Sequence, residues 1–316
     1  MSALSICLFG RFNVRRDEQV LTGFEAHKVQ ELCAHLLLHR DRPHPREELA
    51  TLLWGDSPSV QAKKQLRQTL WQLQSALGQR AESADSRVLV VLPEWVSVNT
   101  KADVWLDVAL FDHALAHARG IAGRDLDREA VGELRNAADL YRGDFLEGCY
   151  QDWCLFERER LQNAYLSVLD KLMDYCEAHD ECESGLAYGE AILRYDRARE
   201  RTHQRLMYLR FRAGDRAGAL RQYERCAAAL QEELGVRPGR RTVALCEQIR
   251  ADQLDGWAAE GPPMRAPSEP ITASLSEAAA RLRQLRAILE QLELQLEQGI
   301  ESVDLALRSR RHTPRP

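Results

Sequence analysis

The chain has 316 residues, 45% of them hydrophobic and 29% charged, and its 43 Lys+Arg against 48 Asp+Glu give a formal net charge of -5. That length accommodates two or three domains with buried cores. MSALSICLFGRF lacks a basic head and no apolar run reaches membrane-spanning length, so a cytoplasmic protein without a membrane partner is expected. The eight cysteines form no CxxC pair, which fits reduced thiols rather than a disulfide scaffold.

In chain order, LSICLF (Leu4 to Phe9), Gly10, RFNV (Arg11 to Val14) and a turn at Arg16 to Glu18 predict short strands. A helix follows over Ala26 to Leu38, where Val29, Leu32, Cys33, Leu36 and Leu37 recur at helical spacing, and then a shorter one over Arg46 to Trp54. Pro58 to Gly78 predicts a third helix, with Ser57 as N-cap, Pro58 at the first helical position and Gly78 as a left-handed stop. Ala62, Leu66, Leu70, Leu73 and Leu77 form its apolar stripe. Lys64, Gln65, Gln68, Trp71 and Gln72 then point outward, with Lys63 and Arg67 on the flanks.

The middle of this helix carries cations and no acid in a chain that is net acidic. Residues 1 to 105 hold 13 Lys+Arg and 12 Asp+Glu, a net of +1, which leaves -6 for the other 211. Lysine and arginine suit phosphate oxygens, and glutamine has the shape for paired hydrogen bonds to adenine. A solvated amphipathic helix with ordinary surface charge is the alternative for the segment alone. Its neighbours favour the first reading, because RVLVVLPEWVSVNT (Arg87 to Thr100) holds two β-rich runs around Pro93 and Glu94. Three helices followed by a β-ribbon make a winged helix-turn-helix, whose third helix enters the major groove of duplex DNA.

From Val104 onward the pattern is helical. Lys171 to Glu190 set against Arg205 to Glu224, an offset of 34, pairs KLM with RLM, Gly185-Leu186 with Ala219-Leu220, and Glu190 with Glu224. This is the tetratricopeptide period, so stacked helix pairs are expected, the alternative being a generic bundle. GWAAEGPPMRAPSEP (256 to 270) reads as a linker. Beyond it Leu275, Leu282, Leu289, Leu296 and Val303 recur every seventh residue, with Ala278, Leu285, Leu292 and Ala306 between them. That is a coiled-coil seam of roughly 50 Å at about 1.5 Å per residue, weakened where Gly299 takes an inner position. Homodimerisation through Leu275, Leu282, Leu285, Leu289, Leu292 and Leu296 is the preferred reading, and docking of the segment on its own chain the other. RSRRHTPRP (308 to 316) reads as a basic tail.

Catalytic signatures are missing. His35 with His39 and His113 with His117 are spaced i,i+4, but neither pair has an HExxH arrangement or a nearby ligand cluster. No phosphate-binding GxxxxGK[ST] loop or GxSxG elbow is present, and Asp139, Asp144 and Glu147 around Gly143 read as turn and capping residues. No enzyme, metal or cofactor is expected.

The segments LLLHRDRPHPREELATLLW (Leu36 to Trp54) and LRQTLWQLQSALG, with the hairpin after them, resemble the OmpR-type winged helix. YRGDFLEG (141 to 148), FERERL (156 to 161), AGDRAGALRQYE (213 to 224) and EELGVRPG (232 to 239) resemble, in order, the motifs of a bacterial transcriptional activation domain. The combination, over about residues 4 to 250, is similar to the Streptomyces antibiotic regulatory protein family. It implies a sequence-specific transcriptional regulator, an activator that binds promoter repeats in double-stranded DNA and contacts RNA polymerase. On this reading Lys63, Lys64 and Arg67 anchor phosphates, and Gln68, Trp71 and Gln72 face bases or sugars. Arg87 and Trp95 serve the wing. The chain departs from the family at Gln72 and Gln74, where relatives usually carry arginines around the position of Leu73. A different class stays open, a helical scaffold whose winged helix docks protein.

The expected architecture is mostly α. A winged helix-turn-helix (1–103) precedes a tetratricopeptide-like helical domain (104–255), a linker (256–270), a coiled-coil helix (271–309) and a basic tail (310–316).

Overall fold

Short β-rich runs separated by turn residues open the chain, and in the computed structural model they form β1 (Leu4–Cys7), β2 (Asn13–Arg16) and β3 (Gln19–Val20). The structure describes residues 4–17, 19–55, 57–78 and 87–254. The second strand is shifted two residues C-terminal to the RFNV run and shares Asn13 and Val14 with it, because Ile6 faces Val14 and Leu4 faces Arg16 in the antiparallel register, which buries Val14 beside Ile6.

Three helices follow, α1 (His27–Leu38), α2 (Arg46–Trp54) and α3 (Ser59–Ala76). β4 (His44–Pro45) precedes α2, and β5 (Leu89–Val91) and β6 (Trp95–Val98) come after α3. The hairpin closes through Leu92 N–H to the Trp95 carbonyl at 2.8 Å, and β4 adds to its other edge to give the order β4-β6-β5. Two residues are too few for period-2 alternation, so β4 leaves no sequence signal.

Val104–Leu106 is a strand, β7, and not the start of the helical region. It pairs in parallel with β1, Leu4 opposite Val104 and Ile6 opposite Leu106, in a sheet ordered β3-β2-β1-β7. The pairing spans a hundred positions, a distance over which local patterning carries no information. Among the described residues seven α-helices follow: α4 (Asp107–His117), α5 (Arg128–Leu140), α6 (Asp152–Ala178), α7 (Cys182–Tyr195), α8 (Glu200–Arg212), α9 (Arg216–Leu234) and α10 (Arg240–Ala251).

The expected 34-residue offset is visible in the helix ends. Ala178 closes α6 and Arg212 closes α8, 34 positions apart, as are Cys182 and Arg216 at the starts of α7 and α9. Gly185 allows the close approach of α7 to α8, since a Cβ there would lie 2.8 Å from Leu209 Cδ1 and 3.2 Å from Cys176 Cβ. Arg205 takes the place that Lys171 holds one repeat earlier. It is 2% exposed and reaches Glu177 (Nε to Oε1 2.6 Å), Asp174 (Nη2 to Oδ1 3.0 Å) and Asp170 (Nη1 to Oδ1 3.4 Å), so α8 is tied to α6 by charge as well as by packing.

Apolar packing is continuous from the first strand into the helices. One core holds Leu4, Ile6, Leu36, Leu66, Leu73, Val96, Phe111, Leu134 and Leu172. A second, Leu169, Met173, Ile192, Leu206 and Leu209, and a third around Met207, Leu245 and Ile249 pass it along the helix stack, as nearest-neighbour repeats do. Residue 103, where the sequence suggests a domain boundary, lies between β6 and β7 and is spanned by this packing. No described helix is long and apolar enough to cross a membrane. The linker and the coiled-coil seam with Leu275, Leu282, Leu285, Leu289, Leu292 and Leu296 lie outside the described residues.

Candidate nucleic-acid interface

The expected stripe on α3 is buried in full: Ala62, Leu66, Leu70, Leu73 and Leu77 are each 4% exposed or less, and Thr69 is buried with them. Burial of five apolar side chains on one side fixes the rotation of the helix, so the opposite face is held outward. The helix begins one residue later than the sequence suggests. Pro58, extended at φ -54° and ψ 138°, is its N-cap, because its carbonyl already accepts Gln61 N–H (2.9 Å) and Ala62 N–H (3.0 Å). Ser57 therefore lies outside the helix and caps nothing. Its other end stops as expected, at Gly78 with φ +70° and its N–H on the Ser75 carbonyl. Sequence reasoning misses one partner there: Arg16 of β2 donates from Nη2 to the Leu77 carbonyl at 3.0 Å, placing a cation on the negative end of α3.

Val60, Lys64, Arg67, Gln68, Trp71 and Ser75 share the outward face, with Val60 79% and Trp71 55% exposed. This row contains two cations and no acid. Gln65, Gln72 and Gln74 are half-buried on its margins, so of the five glutamines of α3 only Gln61, in the first turn, and Gln68 stand exposed. Lys63 is exposed but engaged, its Nζ 2.5 Å from Glu47 Oε1 of α2, and the ammonium holds that carboxyl below the usual carboxylate range. A phosphate would have to displace Glu47 to use Lys63. Lys64 and Arg67 have no such competitor among the described residues.

The hairpin is anchored to α2. Arg46 donates its backbone N–H to the Glu94 carbonyl at 2.9 Å, and its guanidinium reaches the carbonyls of Leu92 and Pro93 at 3.4 Å. Val96 and Val98 point into the core, while Val90, Leu92 and Trp95 stay exposed. Trp95 pairs with Pro45 of β4 in the strand register. Arg87 is exposed at the base of the hairpin, where its carbonyl accepts from Asn99 Nδ2 at 3.0 Å. Thus Lys64, Arg67, Gln68 and Trp71 come together on one surface. Arg87 and Trp95 lie on the hairpin, and Gln72 and Lys63 sit at the edges.

The two histidine pairs behave differently. His113 and His117 are exposed, and His117 Nδ1 lies 2.7 Å from Glu133 Oε2, which raises its pKa. His35 is buried among His39, His44 and Trp153, with ring centroids 4.8, 5.3 and 5.1 Å away. Burial, reinforced by the charges His39, His44 and Arg42 can carry, pushes His35 down to about 3. No group of three or more His, Cys, Asp or Glu among the described residues has a metal-holding arrangement. The YRGDFLEG segment packs against the start of the chain. Phe145 bridges Phe9, and Asp144 gives its carbonyl to Gly10 N–H at 2.9 Å, so the segment joins the helices to the first strand.

Residues 106–250 match the family model described as Bacterial transcriptional activator domain. The chain is similar to Regulatory protein AfsR of Streptomyces coelicolor (strain ATCC BAA-471 / A3(2) / M145), at 32% identity over 243 residues, 75% of this chain and 23% of that protein. It is also similar to Regulatory protein AfsR of Streptomyces griseus, at 26% identity over 255 residues, 79% of this chain and 25% of that protein. The chain therefore spans about a quarter of the length of these relatives. Among solved structures it shares the fold of Mycobacterium tuberculosis EmbR in complex with low affinity phosphopeptide, with a TM-score of 0.63 and 22% identity over 82% of this chain and 67% of that chain.

Proposed function

We propose that this chain, which carries a bacterial transcriptional activator domain at residues 106–250 and is similar to AfsR regulators, is a sequence-specific DNA-binding transcriptional activator of the Streptomyces antibiotic regulatory protein type. The observation that carries this reading is the outward face of α3. Its apolar stripe is consumed by the core, and what remains is a row of Lys64, Arg67, Gln68 and Trp71 without a carboxylate.

In this reading residues 1–103 are a winged helix. α3 enters the major groove, Lys64 and Arg67 meet phosphates, and Gln68 addresses a base edge. Trp71 lies against a sugar or a thymine methyl group. The β5–β6 hairpin is the wing, with Arg87 placed for the backbone beside it. The helical residues 104–255 then hold the reading helix and present a surface to RNA polymerase. Residues 271–309 join two copies, so that two reading helices meet promoter repeats.

Exposure of Val60 and Trp71 also suits a protein-docking face, and one measurement separates the two readings. In a gel shift on the chain's own upstream region over a salt series, DNA readout gives steep weakening with salt, and Lys64→Ala lowers the slope by roughly one counterion. No retarded band at about 50 mM salt, where phosphate contacts are strongest, would favour the docking scaffold.

A further inference from the structure

The helical half carries a cationic groove that the DNA-binding reading does not use. It lies between α7, α8 and α9, encloses about 320 Å³, and is lined by Arg194, Arg197, Arg225, His203, Gln222 and Glu190. That volume is at the small end of ligand sites, room for a compact molecule and not for a folded partner.

Its floor is fixed. His203 is 3% exposed and Gln222 2%, with Gln222 Nε2 2.8 Å from His203 Nδ1 and His203 Nε2 2.9 Å from the Arg197 carbonyl. Amide donation to Nδ1 leaves the ring proton on Nε2, which fits the carbonyl there, so the ring is neutral and locked. Ala228 and Ala229 keep the α9 side low.

The rim carries more positive charge than its neighbours neutralise. Glu190 is the one carboxylate lining the groove, and Arg210 already holds it at 2.8 Å. Arg197 shares Glu232 (3.2 Å) and Glu233 (3.8 Å). Arg194 and Arg225 have no hydrogen-bond or ion-pair partner among the described residues. Arg194 occupies the last turn of α7, where a cation complements the helix dipole. Arg225 has no such account: it lies mid-helix, with Arg221, Gln222, Ala228 and Ala229 as its i±3 and i±4 neighbours and no acid among them.

We propose that this groove binds a small phosphorylated molecule through its phosphoryl group. A single carboxylate accepts one guanidinium fork, whereas a phosphoryl dianion offers three oxygens and can take forks from Arg194 and Arg225 on two different helices. Arg197, loosened from Glu232 and Glu233, would add a third contact. The site is separate from α3 and the hairpin, so it stands whether or not the chain binds DNA.

Isothermal titration of the full chain with inorganic phosphate, and separately with pyrophosphate, at an ionic strength matched with chloride tests this. The expected result is saturable one-site binding to at least one probe, weakened at least tenfold by Arg225→Ala and by Arg194→Ala, and unchanged by Arg87→Ala on the hairpin. Thermal midpoints of the three variants without ligand show that each is folded. Binding of pyrophosphate alone would place a second phosphoryl group in the groove, while binding of phosphate alone assigns the contact to a single one. The proposal is overturned if neither probe saturates, if Arg225→Ala and Arg194→Ala bind like the parent chain, if Arg87→Ala abolishes binding, or if citrate binds where both phosphate probes fail.

Discussion

The carboxylate of Asp107 accepts the backbone N–H of Phe9 at 2.9 Å, across 98 positions of sequence. The same carboxylate takes Leu8 N–H at 2.8 Å and Val108 N–H at 2.7 Å, so one buried side chain at the start of α4 satisfies three main-chain donors, two of them just past the end of β1. Desolvation raises its pKa despite those bonds. Asp107→Ala leaves the donors buried without acceptors, at about 1–3 kcal/mol each. A loss of at least about 3 kcal/mol is expected by urea denaturation, and a loss under about 1 kcal/mol would show that water or a rearranged backbone replaces the carboxylate.

Acid should weaken the fold through His35. Its pKa falls from 6.5 to about 3 on folding, so between those values the unfolded chain carries a proton that the folded chain refuses. The stability that rests on neutral His35 is complete above pH 6.5 and is lost as pH falls, at about 1.4 kcal/mol per unit once inside the window. His39 and His203, also lowered chiefly by burial, act in the same direction. Unfolding free energies measured from pH 7 to 5 should show a shallower slope for His35→Phe than for the parent chain; parallel slopes would remove His35 from this role.

Arg205 at 2% exposure faces three carboxylates. Removing one partner of a buried ionic group costs about 3–5 kcal/mol, because the charges left behind have lost their compensation. Arg205→Ala should therefore lower the urea midpoint strongly. Arg205→Lys, which cannot supply the planar fork, should recover less than half of the loss. Full recovery with lysine would mean that charge alone suffices.

Gln68 and Lys64 should separate specificity from affinity. Gln68→Ala is expected to cost about 1–3 kcal/mol on the cognate site, little on random DNA, and to leave the salt slope unchanged, whereas Lys64→Ala weakens both. A Gln68→Ala variant that loses cognate and random DNA equally would move this residue from base reading to backbone contact.

Periodicity made most of the helices legible. Five leucine and alanine positions gave the buried side of α3, and the 34-residue offset placed α6 to α9. What stayed hidden was non-local or too short to repeat: β4 and β3 have two residues each, and β7 reads as the lead-in to a helix until β1 lies beside it. The candidate surface was visible as a charge pattern on a helix, yet the pairing of Lys63 with Glu47 depends on how α2 crosses α3, and the half-burial of Gln72 on tertiary packing that the helical period does not encode. The arginine groove left no sequence trace, because Arg194 and Arg225 lie 31 positions apart on different helices.

The first strand has β2 on one side and β7 on the other, and it is the wall against which both halves of the chain are built. Exchange of residues 1–103 between relatives by recombination would hand each product one half of a β1–β7 ladder made by strangers. Shuffling of specificities is therefore expected to succeed where the crossover takes 27 to 98 as a cassette, leaving β1, β2 and β7 with the helices they evolved beside.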